Sequence, residues 1–317
     1  MGSTVYKHSD LIGTIDIYAN KTLGHSFNDI TFDPIPYKAA EAMKKSKEIT
    51  KKNYPTGEIK STNMVVYSYP KIGAMTVVKD KTTGDEYRIF VDAYTLDEVQ
   101  DKPVTETKPG VWSMYEMKLK NGVEGNLKEW EKSDQFTKSI EQAAVNKGVN
   151  ISEAVTEENM KKLNGDAAIT ASTSRKLGVP LRGQEDTYYC GEASIQMISL
   201  YYGYPTPSQT YIYDYFFDPE DQPSGLRIDE MIQWAEDKWG KTGFHDTSMT
   251  NSEVVTEIDN YRPFYSTIPG HFRVCQGYLI QNGYFYIYIN DPEPVGSNGT
   301  PKIELGSSRE TNRIYIR

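Results

Sequence analysis

The chain is poor in cysteine, in histidine and in uninterrupted apolar stretches. Its 317 residues include two cysteines and four histidines. Two cysteines exclude a disulfide framework and leave one bridge, Cys190–Cys275, to be weighed. No apolar run approaches the roughly 20 residues of a membrane span. No charged-then-apolar signal segment follows Met1-Gly2-Ser3, which reads as an expression remnant. Positive charge is in deficit, 35 lysines and arginines against 44 aspartates and glutamates for a net charge of −9. That balance argues against a nucleic-acid backbone as the partner. The histidines are scattered. His8 and His25 stand alone and read as solvated. His245, beside Asp246, has no second His or Cys at ligand spacing, so neither a metal site nor another cofactor is expected.

What is present is the composition of a folded, soluble protein, 38% hydrophobic and 25% charged. The length suggests about two domains. Tyrosine is abundant at 24 residues; its flat apolar ring and polar tip suit a wet cleft, and equally an ordinary Tyr-rich fold.

Residues 1–33 read as an N-terminal extension with short strands. Residues 34–165 form a clearer α+β unit. Pro36 can open a helix over 37–53 with Ala39, Ala40, Met43 and Ile49 on one side. Three strand-like runs follow, NMVVYSYP, AMTVVKD and YRIFVDAYT, the last two joined by a hairpin signal, Lys81-Thr82-Thr83-Gly84-Asp85. VWSMYEMKL reads as a further strand, and helices are expected over 126–147 and 152–163. This unit resembles the PepSY-type modules of secreted peptidase propeptides, especially in its VDAYT ending. Residues 166–178, small and polar and ending in Arg175-Lys176, read as a linker that is either plain or a processing site. Residues 179–317 then carry a short strand at Val179-Pro180-Leu181 and helices from about 190, from 227 to 239 and after the capping-box pattern Thr250-x-x-Glu253. The strands FYSTI, HFRVCQGYLI, YFYIYIN, KIEL and RIYIR complete the chain, with Asn282-Gly283 as a tight hairpin between the second and third.

The organising stretch is QEDTYYCGEASIQMISLYYG, residues 184–203. Ala193, Met197 and Leu200/Tyr201 recur at helical spacing, so Cys190 sits at a helix N-terminus, with Gly191 supplying backbone freedom. Unpaired N–H groups and the helix dipole there favour an anionic thiolate. A cysteine in this place is as often a small buried hydrophobe. Thiol acyl transfer also needs an imidazole, an orienting group and oxyanion donors. The C-terminal half offers His271 at a strand start, Asp291 at the end of the next strand, and the Gln184 amide with the Cys190 backbone N–H. Each has an ordinary structural reading alone; their co-occurrence favours catalysis. The bridge excludes this arrangement. His271 and Cys275 lie about 13 Å apart along one strand, so a Cys190 that meets His271 is beyond the about 7 Å Cα separation a disulfide allows from Cys275.

The order Gln184, Cys190-Gly191-x-Ala193, His271 and Asn290-Asp291-Pro292 resembles the papain-like cysteine peptidases, in the branch of the bacteriocin-processing (double-glycine) peptidases and their secreted bacterial and archaeal relatives. The resemblance implies an α+β fold, a helix bearing the nucleophile packed on a twisted antiparallel sheet. It implies Cys190 as nucleophile, His271 as general base and acid, Asp291 as orienting carboxylate with Asn290 as its alternative, and Gln184 in the oxyanion hole. Glu192 departs from the family, where proline often follows the Cys-Gly pair. The expectation is a peptidase acting on peptide or protein substrates through a thioester, exported or held at the cell surface with its signal removed. Its N-terminal region would act as an intramolecular inhibitor until the 166–178 linker is cut. The alternatives are a cell-wall amidase or transglutaminase-like acyl transferase, and a non-catalytic binding module on a decayed scaffold, of which Glu192 would be the sign.

Overall fold

The computed structural model describes residues 2–7, 10–105, 108, 110–120, 122–149, 172–218, 224–281, 283–306 and 309–317. The helix expected over 152–163, most of the 166–178 linker, His8 and Asn282 lie outside them.

Two sheets organise the described residues. The smaller is an antiparallel four-stranded sheet of β4 (Glu58–Ser68), β5 (Lys71–Lys79), β6 (Glu86–Asp92) and β7 (Glu98–Val99), covered by α1 (Ala39–Asn53). The buried stripe of α1 is Ala42, Ser46 and Thr50, one residue per turn. Met43 and Ile49 of the expected face pack half-buried beside it, and its small residues let the helix lie close on the strands while the hydroxyls find partners. Ser46 Oγ donates to Thr76 Oγ1 and to the Ile89 carbonyl, and Thr50 Oγ1 to the Ser46 carbonyl. VWSMYEMKL is not a strand. It carries α2 (Ser113–Lys120), followed by α3 (Val123–Lys147). An i, i+3 spacing of Val111, Met114 and Met117 outweighs the alternation, and Met114 and Met117 pack with Tyr69 and Ile268.

The larger sheet has ten strands. Its N-terminal strands are β1 (Gly2–Lys7), β2 (Asp10–Ile17) and β3 (Phe27–Phe32). Its later strands are β8 (Thr173–Lys176), β9 (Gly243–Asp246), β10 (Phe264–Ile268), β11 (His271–Gln281), β12 (Tyr284–Asp291), β13 (Thr300–Leu305) and β14 (Asn312–Ile316). The order is β1-β2-β3-β13-β12-β11-β10-β14-β9, with β8 also on β11. Strands β1–β3, in the region expected as an extension, are thus part of the C-terminal sheet. Thr31, Ile30 and Asp29 oppose Lys302, Ile303 and Glu304. Arg175-Lys176, read as a linker end, is paired with Tyr278 and Gly277. Arg175 also holds Asp259 at 3.2 Å and lies over the Tyr261 ring. A strand so tied is a poor site for proteolysis, which needs a locally opened chain.

The faces of this sheet follow the two-residue period of its strands. Tyr265, Val274, Ile314 and Ile316 join the core under α4 (Cys190–Tyr202) and α6 (Ile228–Trp239). Their neighbours Phe264, Cys275 and Tyr315 pack on the opposite face, under Val254 and Ile258 of α7 (Asn251–Asp259). The helix α5 (Gln209–Phe216) follows α4. Residues 190–199 of α4 are buried on every side, so it is a central helix rather than an amphipathic surface one. Val179-Pro180-Leu181 forms no strand.

Candidate active site

Cys190 is the first residue of α4, where the opening N–H groups have no partner within the helix. Gly191 is favoured by tight space more than by backbone freedom. A Cβ there would meet the Leu226 side chain at 3.0 Å. The lead-in is held by the loop after β12: Gln184 N donates to the Pro292 carbonyl at 3.0 Å, and Gly296 N to the Gln184 carbonyl at 2.8 Å. At Gly183 a Cβ would come within 1.9 Å of the Ser297 carbonyl oxygen, so only glycine lets these two backbones touch.

His271 opens β11 directly after the Pro269-Gly270 turn, in which Gly270 has φ 66°. Asp291 closes β12, the neighbouring strand. His271 Nε2 and Asp291 Oδ1 are 2.7 Å apart. The Cys190 sulfur also favours the charged form of the imidazole. Phe272 N donates to Cys190 Sγ at 3.5 Å. Burial works against a charged imidazole, but the Asp291 carboxylate, its hydrogen bond and the Cys190 sulfur outweigh it and lift His271 to about 9. A cationic ring against sulfur is what a thiolate nucleophile requires.

Asp291 is fully buried, and its oxygens are all engaged. Oδ1 also accepts from Glu293 N at 3.0 Å, and Oδ2 takes the Lys302 ammonium at 2.9 Å. Burial would raise this carboxyl, yet Lys302, His271 and Arg273 hold it well below the usual carboxylate range. Asn290 points the other way, as successive strand residues do. It accepts from Gln276 Nε2 and donates to the Val179 carbonyl, so it fixes the lead-in and does not meet His271. The Gln184 amide donates to the carbonyls of Asp186 (2.9 Å) and Thr187 (3.2 Å). Its nitrogen is therefore engaged within the loop. Both cysteines are free, and burial pushes the Cys275 thiol up to about 12. His25 is not solvated: its Nδ1 accepts from Phe27 N, and its ring meets Tyr284 edge-on.

Reasoning from sequence passed over Lys302. In β13 the alternation Lys302, Ile303, Glu304, Leu305 points its charged residues inward and leaves the aliphatic ones half-buried. The reason is a buried ionic cluster. Glu304 takes Arg273 Nη1 on both oxygens at 2.7 Å, Arg309 lies 3.6 Å from Glu304 and 3.2 Å from Asp29, and Tyr69 OH donates to Asp29 and Glu304. No local sequence signal separates these residues from a solvated edge strand.

Residues 176–310 match the sequence model of the Peptidase_C39 like family. The C39-like domain is therefore similar to cysteine peptidases in general, and the expected α+β papain-like fold is the one it has: a cysteine-bearing helix packed on an antiparallel sheet. Among solved structures, it aligns with the peptidase domain of Streptococcus ComA, a bi-functional ABC transporter involved in a quorum sensing pathway. The identity is 19% over 44% of this chain and 97% of that domain, with a TM-score of 0.33. No curated protein matches the chain. None of the described helices is long and apolar enough to cross a membrane, and the described residues bring no three His, Cys, Asp or Glu together as a metal site.

Glu192, the departure from the family, is fully buried, and neither carboxyl oxygen has a hydrogen-bond partner. Burial, with Cys190 and Glu230 nearby, raises its carboxyl well above the ordinary value. Folding therefore favours its neutral form, which opposes a thiolate less than a charge would. An acid raised by folding keeps its proton where the unfolded chain has lost it, so its cost grows as pH rises above about 4.5. Glu192→Gln is expected to remove a loss of unfolding free energy of up to about 1.4 kcal/mol per pH unit above that point. Denaturant unfolding from pH 4 to 8 checks it, and parallel slopes in the two proteins would refute it.

Proposed function

We propose that the chain is a cysteine peptidase that hydrolyses a peptide or amide bond through a thioester, held latent by its N-terminal region. The observation that carries this is the buried row Cys190, His271, Asp291. In the reaction the Cys190 sulfur adds to the carbonyl carbon, the C–N bond breaks, and His271 gives its proton to the departing amine. Water, losing a proton to His271, then cleaves the thioester and restores the thiol. Latency rests on access. Cys190 is 7% exposed and His271 4%. A cleft of about 310 Å³ beside His271 has one wall from the C39-like domain, Ile268–Phe272, and the other from Val104, Thr105, Ser113, Glu116, Met117 and Lys120 of the N-terminal region.

The test is capture of the acyl-enzyme. Protein nicked in its N-terminal region by limited proteolysis, then treated with p-nitrophenyl acetate and quenched in acid, is expected to carry one acetyl group on the Cys190 peptide by mass spectrometry. The Cys190→Ala protein is expected to carry none. Equal acetylation of both proteins, or none on Cys190, would sink the reading.

A further inference from the structure

The turn between β4 and β5 brings Tyr69, Pro70 and Lys71 onto the C39-like domain. Tyr69 enters the ionic cluster, its hydroxyl on Asp29 and Glu304 and its ring under Arg309 at 4.5 Å. Two residues on, the Lys71 ammonium lies 2.8 Å from Glu293 Oε1, with both side chains less than a tenth exposed. That oxygen has no well-aligned hydrogen bond, so the contact is one of charge rather than a fitted donor–acceptor pair.

Glu293 belongs to the reactive centre's own loop. Its backbone N–H donates to the Asp291 oxygen that faces His271, and Thr300 Oγ1 donates to its carbonyl. Its neighbour Pro292 is bonded to the Gln184 segment leading into Cys190. The carboxylate therefore stands at the junction of the thiol-bearing and imidazole-orienting segments, and its cation comes from the covering region. Burial disfavours the Lys71 ammonium, but Glu293, Asp92 and Cys190 raise it above its ordinary value. A buried carboxylate stripped of its cation is strongly unfavourable. Whatever displaces the β4–β5 turn must bring a positive charge of its own.

We propose that Glu293 is a recognition site for a basic side chain of the substrate, lysine or arginine, and that Lys71 occupies it as a tethered stand-in. The proposal deepens the peptidase reading and rests on it. It gives the latent state a chemical form: the covering region competes with substrate for one carboxylate.

The experiment uses the full chain as parent, Lys71→Ala, and Lys71→Ala with Glu293→Gln. n-Butylammonium, a free lysine side chain, is expected to raise the melting temperature of Lys71→Ala saturably and to leave the other two unchanged. Two peptidyl chloromethyl ketones differing only in lysine against norleucine are then compared in their rate of Cys190 labelling. Lys71→Ala is expected to prefer the lysine probe at least tenfold, and Glu293→Gln to abolish the preference. Lys71→Met, which keeps the apolar stem, is labelled in parallel so that a folding defect in the alanine variant does not decide the result. Butylammonium binding without a probe preference, or no butylammonium effect with equal labelling, would overturn the proposal and leave the pair a structural clamp. Iodoacetamide serves as the control for the underlying reading. If it alkylates Cys190 of Lys71→Ala no faster than an ordinary thiol, the peptidase reading fails, while the butylammonium arm still decides whether Glu293 takes a basic group.

Discussion

Asp291→Asn is expected to move the alkaline limb of activity from near pH 9 to below pH 6.5. In the parent, burial lowers the imidazole, and Asp291 is the first of the contributions that reverse it, carrying His271 to about 9. With the carboxylate gone, burial prevails and the ring loses its proton before neutrality. At pH 7.5 the imidazolium fraction would fall on the order of 10–100-fold, with kcat/KM following it. Because the substitution also leaves the Lys302 ammonium without its nearest carboxylate, the diagnostic quantity is the midpoint of the limb and not its height. His271→Ala supplies the limit, a thiol whose alkylation no longer responds to the pair. A limb that stays near 9 in Asp291→Asn would show that another group holds the proton. Stability carries the same sign. A histidine raised by folding stabilises fully below about pH 6.5, and that contribution is lost as pH climbs through 9. The slope over that window is expected to vanish in His271→Ala.

Glu304→Ala is expected to cost about 3–5 kcal/mol of stability, the usual consequence of breaking a buried ion pair from one side. Glu304 is 1% exposed and is the shared acceptor of Arg273, Arg309 and Tyr69, of which Arg273 is wholly inaccessible to water. Burial would raise its carboxyl, but Arg273, Arg309 and Lys302 hold it at about 2. Removing it leaves two guanidinium groups facing each other in a dry interior. The melting temperature would fall by roughly 10 °C, at 2–4 °C per kcal/mol for a chain of this size. Glu304→Gln, which keeps an acceptor, is expected to lose less. A change below about 1 kcal/mol in the alanine variant would mean that the cluster is hydrated.

Much of the Cys190, His271, Asp291 row was legible in the sequence, because its members sit at local junctions. A thiol at a helix start, a histidine after Pro-Gly and an aspartate at a strand end are read from neighbouring residues, and one hairpin brings the last two together. The three runs of the smaller sheet were legible for the same reason. What escaped depends on partners far along the chain. The pairing of Asp29 with Glu304 has no local signature, and a charged strand that faces a charged interior looks like one that faces water. Nor did VWSMYEMKL betray its helix, since its apolar residues fit two periods and only the contact of Met114 with Tyr69 and Ile268 decides between them. The orientation of the Gln184 amide was not legible for a related reason: it is set by two carbonyls of the following turn, and an amide's direction is not written in spacing.

The pairing of β3 with β13 bears on what a cut between α3 and β8 would release. The first strands and the last strands of the chain belong to one sheet, so the two products would remain interlocked as a nicked pair. They would part only when a hydrogen-bonded edge and the Asp29–Arg309 contact were given up together. The pair would then be held by an association equilibrium that high protein concentration favours. The covering sheet, joined to the rest by the Tyr69–Lys71 turn, could swing away while strands β1–β3 stayed behind as permanent parts of the body they flank. In such a molecule proteolysis loosens a hinge and does not shed a fragment.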